Sequence, residues 1–130
     1  MKPRGLDAER VAIRCLIVDD SARYLAAART LLEREGLTIG GAVSTAEEAL
    51  RKAKDLQPDL VLVDIGLGEE SGLDLARRLA ATDTRGPAVI LISTRAEEDF
   101  ADEIAESPAV GFLAKTALSA RAIHRLLDAR

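Results

Sequence analysis

Aromatic side chains are scarce in this 130-residue chain. There is no tryptophan, and Tyr24, Phe100 and Phe112 make up the 2% that are aromatic. A flavin or a nucleotide base needs an aromatic or apolar wall to lie against. The chain also lacks a Gly-x-Gly-x-x-Gly run and a Walker-type loop, so no flavin or nucleotide site is expected. A single cysteine, Cys15, excludes an internal disulfide, and its place in an apolar run makes it a small packing residue. No basic cluster is longer than Arg77-Arg78 and the formal net charge is -4, which gives no attraction to nucleic acid or an anionic membrane. No apolar run approaches the roughly 20 residues of a membrane span, and no signal-peptide pattern opens the chain. A cytoplasmic location is expected.

Apolar residues supply 48% of the chain and charged residues 31%, the balance of one folded domain with a real core. Met1 to Ile13 is mixed and charged, and reads as an N-terminal tail over residues 1–13. The domain then spans residues 14–130. Five short runs rich in Val, Ile and Leu read as strands: Arg14–Val18, Thr38–Val43, Leu60–Asp64, Ala88–Ile92 and Val110–Ala114. They are apolar at both alternating sets of positions, the pattern of strands buried on both faces of a parallel sheet. Between them lie amphipathic helical stripes: Ala27, Ala28, Leu31 and Leu32; Ala46, Ala49, Leu50 and Ala53; Leu75, Ala76, Leu79 and Ala80; Phe100, Ala101, Ile104 and Ala105; Ile123, Leu126 and Leu127. Ser44 with Glu47, and Thr94 with Glu97, read as capping boxes, and Gly36 reads as a helix-terminating glycine. Pro58 and Pro87 precede the third and fourth strands, where no helix should run. Strict alternation predicts a doubly wound α/β domain.

In open α/β sheets, ligands gather outside the carboxyl ends of the strands. Asp19-Asp20, Asp64, Ser93 and Lys115 follow the first, third, fourth and fifth apolar runs, so they should meet at one edge. Crowded carboxylates repel one another unless something neutralises them, and a hard divalent cation such as Mg²⁺ does so. Asp64 ends the central strand and opens a glycine-containing loop, which makes it the candidate nucleophile toward phosphorus. Lys115 offers a compact cation, and Ser93 a hydroxyl, to phosphoryl oxygens. Each feature also has a plain structural explanation. Asp-Asp-Ser before a helix is a good N-terminal cap, and a lone lysine is usually a surface residue. The joint placement of all five groups favours the site. His124 reads as a surface residue of the last helix, Tyr24 as partly buried packing, and Glu97-Glu98-Asp99 as a solvated face or part of a contact surface.

From Arg14 to about Asp128 the chain resembles the receiver domain of bacterial two-component response regulators. The resemblance implies a flavodoxin-like (βα)5 fold with a five-stranded parallel sheet of order 2-1-3-4-5. It implies that Asp64 accepts a phosphoryl group from a sensor histidine kinase or a phosphotransfer protein. It further implies Mg²⁺ held by Asp20 directly, by Asp19 largely through water, by Asp64 and by the Gly66 carbonyl. Ser93 and Phe112 then form the switch pair, Lys115 binds phosphate, and Gly72 is the family glycine eight residues past the acceptor. Output would pass to a downstream protein target, or to an output domain outside this sequence. Opposite charges on the fourth and fifth helices suggest a weak homodimer on phosphorylation.

The chain departs from the family pattern at three places. Gly68 stands where receivers commonly have proline, Thr116 stands where proline usually follows the lysine in a cis peptide, and Thr94 is bulkier than the usual alanine. Two other functions compete with the switch. A Mg²⁺-dependent phosphatase with an aspartate nucleophile needs a second acid two residues on, where this chain has Gly66. A pseudo-receiver that is never phosphorylated would not need the full set of chemical groups present here.

Overall fold

The computed structural model describes residues 13–81 and 86–129. The predicted tail lies outside the described residues, apart from Ile13. That residue accepts a hydrogen bond from the Thr38 N–H and packs on the core, so it belongs to the folded body.

Five strands and five α-helices alternate: β1 (Arg14–Val18), α1 (Ala22–Arg34), β2 (Thr38–Val43), α2 (Ala46–Leu56), β3 (Leu60–Asp64), α3 (Gly72–Ala81), β4 (Ala88–Ser93), α4 (Ala101–Glu106), β5 (Gly111–Ala114) and α5 (Ala120–Ala129). All pairings are parallel and the strand order is β2-β1-β3-β4-β5, as expected. β4 runs one residue further than predicted, to Ser93, and β5 starts one residue later, at Gly111.

The side-chain period of two divides each strand between two cores. Cys15 and Ile17 of β1, Leu60 and Leu62 of β3, and Ile90 and Ile92 of β4 face α1 and α5, meeting Ala28, Leu32 and Ile123. Leu16 and Val18, Val61 and Val63, and Val89 and Leu91 face the other way, onto Ala49 of α2 and Leu75, Ala76 and Leu79 of α3. β3 and β4 are buried along their whole length, so each large apolar side chain there stabilises the fold by roughly 2 kcal/mol. Cys15 is one of these packing residues, and burial pushes its thiol up to about 12.

The helix ends show where local chemistry acts. Gly36 takes φ +101° after α1, while Gly36 N–H reaches Glu33 O and Leu37 N–H reaches Leu32 O, the paired bonds of a Schellman motif. The capping box of α2 is shifted by one residue from the predicted one. Thr45 is the N-cap, its hydroxyl accepts from the Glu48 N–H at 3.2 Å, and Glu48 rather than Glu47 reaches back to Ser44. The predicted box at Thr94 does not form. A 3-10 turn over Glu97–Phe100 opens at Ala96 with no side-chain cap, and α4 follows with only six residues. Of its predicted stripe, Phe100 and Ile104 pack on the core, whereas Ala101 and Ala105 are exposed. His124 is half-buried rather than fully solvated.

Candidate functional site at the carboxyl edge of the sheet

Strand register sets the site. Val18 pairs with Val63 and Asp64 with Ile92, so Asp19, Asp64 and Ile92 form one row across β1, β3 and β4. Ser93 pairs with Ala114, which places Ser93 and then Lys115 just beyond that row. Asp19, Asp64 and Ser93 are the buried polar residues of the described chain, while Asp20 is exposed.

Asp19 does not cap α1; Ser21 does. The Ser21 hydroxyl accepts from the Tyr24 N–H, and the Ser21 N–H in turn donates to Asp19 Oδ1 at 2.8 Å. Asp19 Oδ2 is buried against the Lys115 ammonium as an ion pair and has no hydrogen-bond partner beside it. Lys115 also donates to Asp64 Oδ2 at 3.3 Å, and the Gly66 N–H donates to Asp64 Oδ1 at 3.2 Å. Burial first, and then the charge of Asp19, hold the Asp64 carboxyl above the ordinary carboxylate range, against the pull of Lys115 and the Gly66 N–H. For Lys115, burial works against the charged form, but the contacts with Asp19 and Asp64 outweigh it and its pKa is raised.

One carboxylate oxygen from each of Asp19, Asp20 and Asp64 lies within 4.8 Å of the others. Three oxygens on one octahedral Mg²⁺ include at most one opposite pair about 4.2 Å apart and otherwise adjacent pairs about 3 Å apart, so these carboxylates are near enough to converge on one ion by closing together. An all-oxygen donor set also suits a hard cation, and the exposed Asp20 carboxylate is its most accessible member. The Gly66 carbonyl, the fourth expected ligand, accepts from the Gly68 N–H at 2.8 Å and keeps one lone pair.

The loop after β3 differs in backbone from anything a proline could adopt. Gly68 has φ +59°, and proline is fixed near -65°. The loop is tied down by the Glu70 carboxylate, which accepts from the Ala46 N–H at 2.9 Å across to the start of α2. No cis peptide occurs among the described residues, so Lys115–Thr116 is trans, and it opens a 3-10 turn over Lys115–Ala117. Thr94 is exposed. The Ser93 hydroxyl accepts from the Arg95 N–H at 3.0 Å. Phe112 is half-buried against the α2–α3 core.

Sequence reasoning missed Tyr24 as a member of this site. Its ring faces the Lys115 ammonium, 4.6 Å from the centroid. Burial, then the charges of Asp19 and Asp64, push its phenol up to about 12, so it remains a donor at neutral pH. No strand end marks Tyr24, and only the approach of the first turn of α1 to the turn after β5 brings it to Lys115.

Fold and site together define a doubly wound α/β domain whose carboxyl edge carries an acidic cluster locked to one lysine. The chain belongs to the response regulator receiver domain family, whose model matches residues 15–127. It is 31% identical over 106 residues to the response regulator GacA of Pseudomonas viridiflava, covering 81% of this chain and 49% of that protein. It is 27% identical over 113 residues to the chemotaxis protein CheY of Thermotoga maritima, covering 87% of this chain and 93% of that one. Among solved structures, the signal receiver domain of a modulated diguanylate cyclase from Desulfovibrio desulfuricans superposes with TM-score 0.76 at 34% identity, over 91% of this chain and 92% of that one. The chain thus spans about half the length of GacA, at 49%. Receiver domains are generally signalling switches. Among the described residues, no helix is long and apolar enough to cross a membrane.

Proposed function

We propose that the protein is a phosphorylation-dependent switch that takes its phosphoryl group on Asp64 from a phosphohistidine of a sensor kinase or phosphotransfer protein. An Asp64 carboxylate oxygen forms the new bond to phosphorus as the phosphorus–nitrogen bond breaks, and the imidazole leaves with the bonding pair and takes up a proton. Lys115, already on Asp64 Oδ2, neutralises charge on a phosphoryl oxygen, and the Ser93 hydroxyl donates to another. Mg²⁺ held by Asp19, Asp20, Asp64 and the Gly66 carbonyl would supply Lewis-acid stabilisation of the transferring group. Asp20 is the exposed, unlocked acid and the better direct ligand, whereas Asp19 is committed to Ser21 and Lys115. Leaving the Arg95 N–H for the phosphoryl group would carry Ser93 inward, with Phe112 following. The output then passes through α4, β5 and α5 to a protein target or an attached output domain.

The observation that carries this reading is the buried Asp19–Lys115–Asp64 bridge beside a third carboxylate. Intact mass after treatment with acetyl phosphate and Mg²⁺ tests it. We expect one base-labile phosphoryl adduct, lost in Asp64→Asn and without added metal, with Asp20→Asn weakening the Mg²⁺ dependence more than Asp19→Asn. An undiminished adduct in Asp64→Asn overturns the assignment.

A further inference from the structure

Lys115 carries a long side chain, yet only 12% of it is exposed. Something must hold it over the two aspartates against the rotamer entropy of a long, flexible side chain. Its backbone anchor is weak: the Lys115 carbonyl accepts from the Leu118 N–H at 3.5 Å. Tyr24 touches both ends of this residue. Its ring lies under the ammonium at 4.6 Å, and its hydroxyl donates to the Lys115 carbonyl at 3.4 Å.

These contacts close a circuit. Asp19 Oδ1 accepts from Ser21 N–H, Ser21 Oγ accepts from Tyr24 N–H, Tyr24 meets Lys115, and Lys115 returns to Asp19 Oδ2. The N-cap of α1 therefore fixes both the acid and the aromatic ring that Lys115 must match. A ring face attracts an ammonium without neutralising it, so Tyr24 confines Lys115 while leaving its charge for an anionic guest.

We propose that Tyr24 is a positioning residue, which holds the Lys115 ammonium over Asp19 and Asp64 through its ring face. As a contribution to phosphoryl transfer, this role rests on the function proposed above. The plainer alternative is that Tyr24 only packs on the α1–α5 core, which it also touches.

A double-mutant cycle separates the two. Tyr24→Phe keeps the ring, Tyr24→Met fills the space without one, and both are combined with Lys115→Ala. The rate of modification by acetyl phosphate and Mg²⁺ is measured together with the urea midpoint and the Lys115 ε-methylene NMR signal. We expect Tyr24→Phe to keep both the rate and the ring-shifted signal, because the hydroxyl bond is long. Tyr24→Met should lose about fivefold in rate, the scale of a partly desolvated cation–π contact, and should lose the ring shift. In the Lys115→Ala background Tyr24→Met should change nothing. An equal loss with and without Lys115, an equal loss in Tyr24→Phe and Tyr24→Met, or an unshifted Lys115 signal in the unmodified protein would each overturn the proposal. A wild-type protein that takes no phosphate on Asp64 would instead defeat the proposed function, while the NMR signal would still decide where Tyr24 holds Lys115.

Discussion

At Gly72 there is room for a hydrogen atom and nothing larger. A β-carbon there would sit 2.0 Å from the Asp64 carbonyl oxygen and 2.8 Å from Ile65 Cα. Both are backbone atoms, so no side-chain rotation relieves the clash, and the Gly72 N–H is bonded to Ile65 O at 3.0 Å. α3 thus starts against the backbone of the candidate acceptor. Gly72→Ala should cost about 3 kcal/mol in urea unfolding, whereas Gly66→Ala, whose β-carbon meets nothing within 4 Å, should cost little. Equal stabilities for the two variants would refute the close-approach account. Most of the site was legible at this scale because its residues end strands, and strand ends are written in the apolar runs. Asp19, Asp64, Ser93 and Lys115 all fall there. Tyr24 was not legible as a site residue, because a helix residue shows its neighbour only once the packing of α1 is known.

The strands were read almost to the residue, most cleanly at β3 and β4, where two-sided burial leaves a short, almost wholly apolar word. Helix caps were harder. Ser44 and Thr45 are both good caps, as Glu47 and Glu48 are both good partners, and the choice depends on which hydroxyl faces the first turn. α4 defeated periodicity: its alanines fit a stripe, yet six acids between Ala96 and Glu106 keep most of the segment in water. The α2 cap carries a pH prediction. The Ser44 N–H first, and then the Thr45 and Ser44 hydroxyls, hold the Glu48 carboxyl below its ordinary range. A depressed acid stabilises the fold above its unfolded pKa, about 4.3 for glutamate, and that contribution is lost as pH falls through the lower folded value. Glu48→Gln should therefore melt below the wild type at pH 7, with the curves converging under about pH 4. A gap that does not depend on pH would show that the carboxylate charge is irrelevant to the cap.

Across the whole molecule, strand order gathers the polar groups on one edge, and the same order puts α4 and α5 beside β5, the edge strand next to β4. The fold was legible because alternation of element types leaves few topologies, and right-handed crossovers prune those further. The exposed face there is electrically divided, with Glu97, Glu98, Asp99, Asp102, Glu103 and Glu106 on one side and, on the other, Arg121 and Arg125 against Asp128 alone. Such a face is self-complementary under two-fold symmetry, and exposed ion pairs make any pairing weak and salt-sensitive. Sedimentation of the beryllofluoride-treated protein should show self-association that declines with salt and with Arg125→Glu. A monomer at high concentration and low salt would exclude it.

The central claim is that a phosphoryl group on Asp64 is felt at this distant face. Amide NMR spectra with and without beryllofluoride and Mg²⁺ test it most directly. The account predicts changes that extend from Asp64 through Ser93 and Arg95 to α4, Phe112 and the Lys115–Ala117 turn, with α2 beyond Ala46 little altered. Changes confined to the residues touching Asp64, with Phe112 and α4 unmoved, would contradict it.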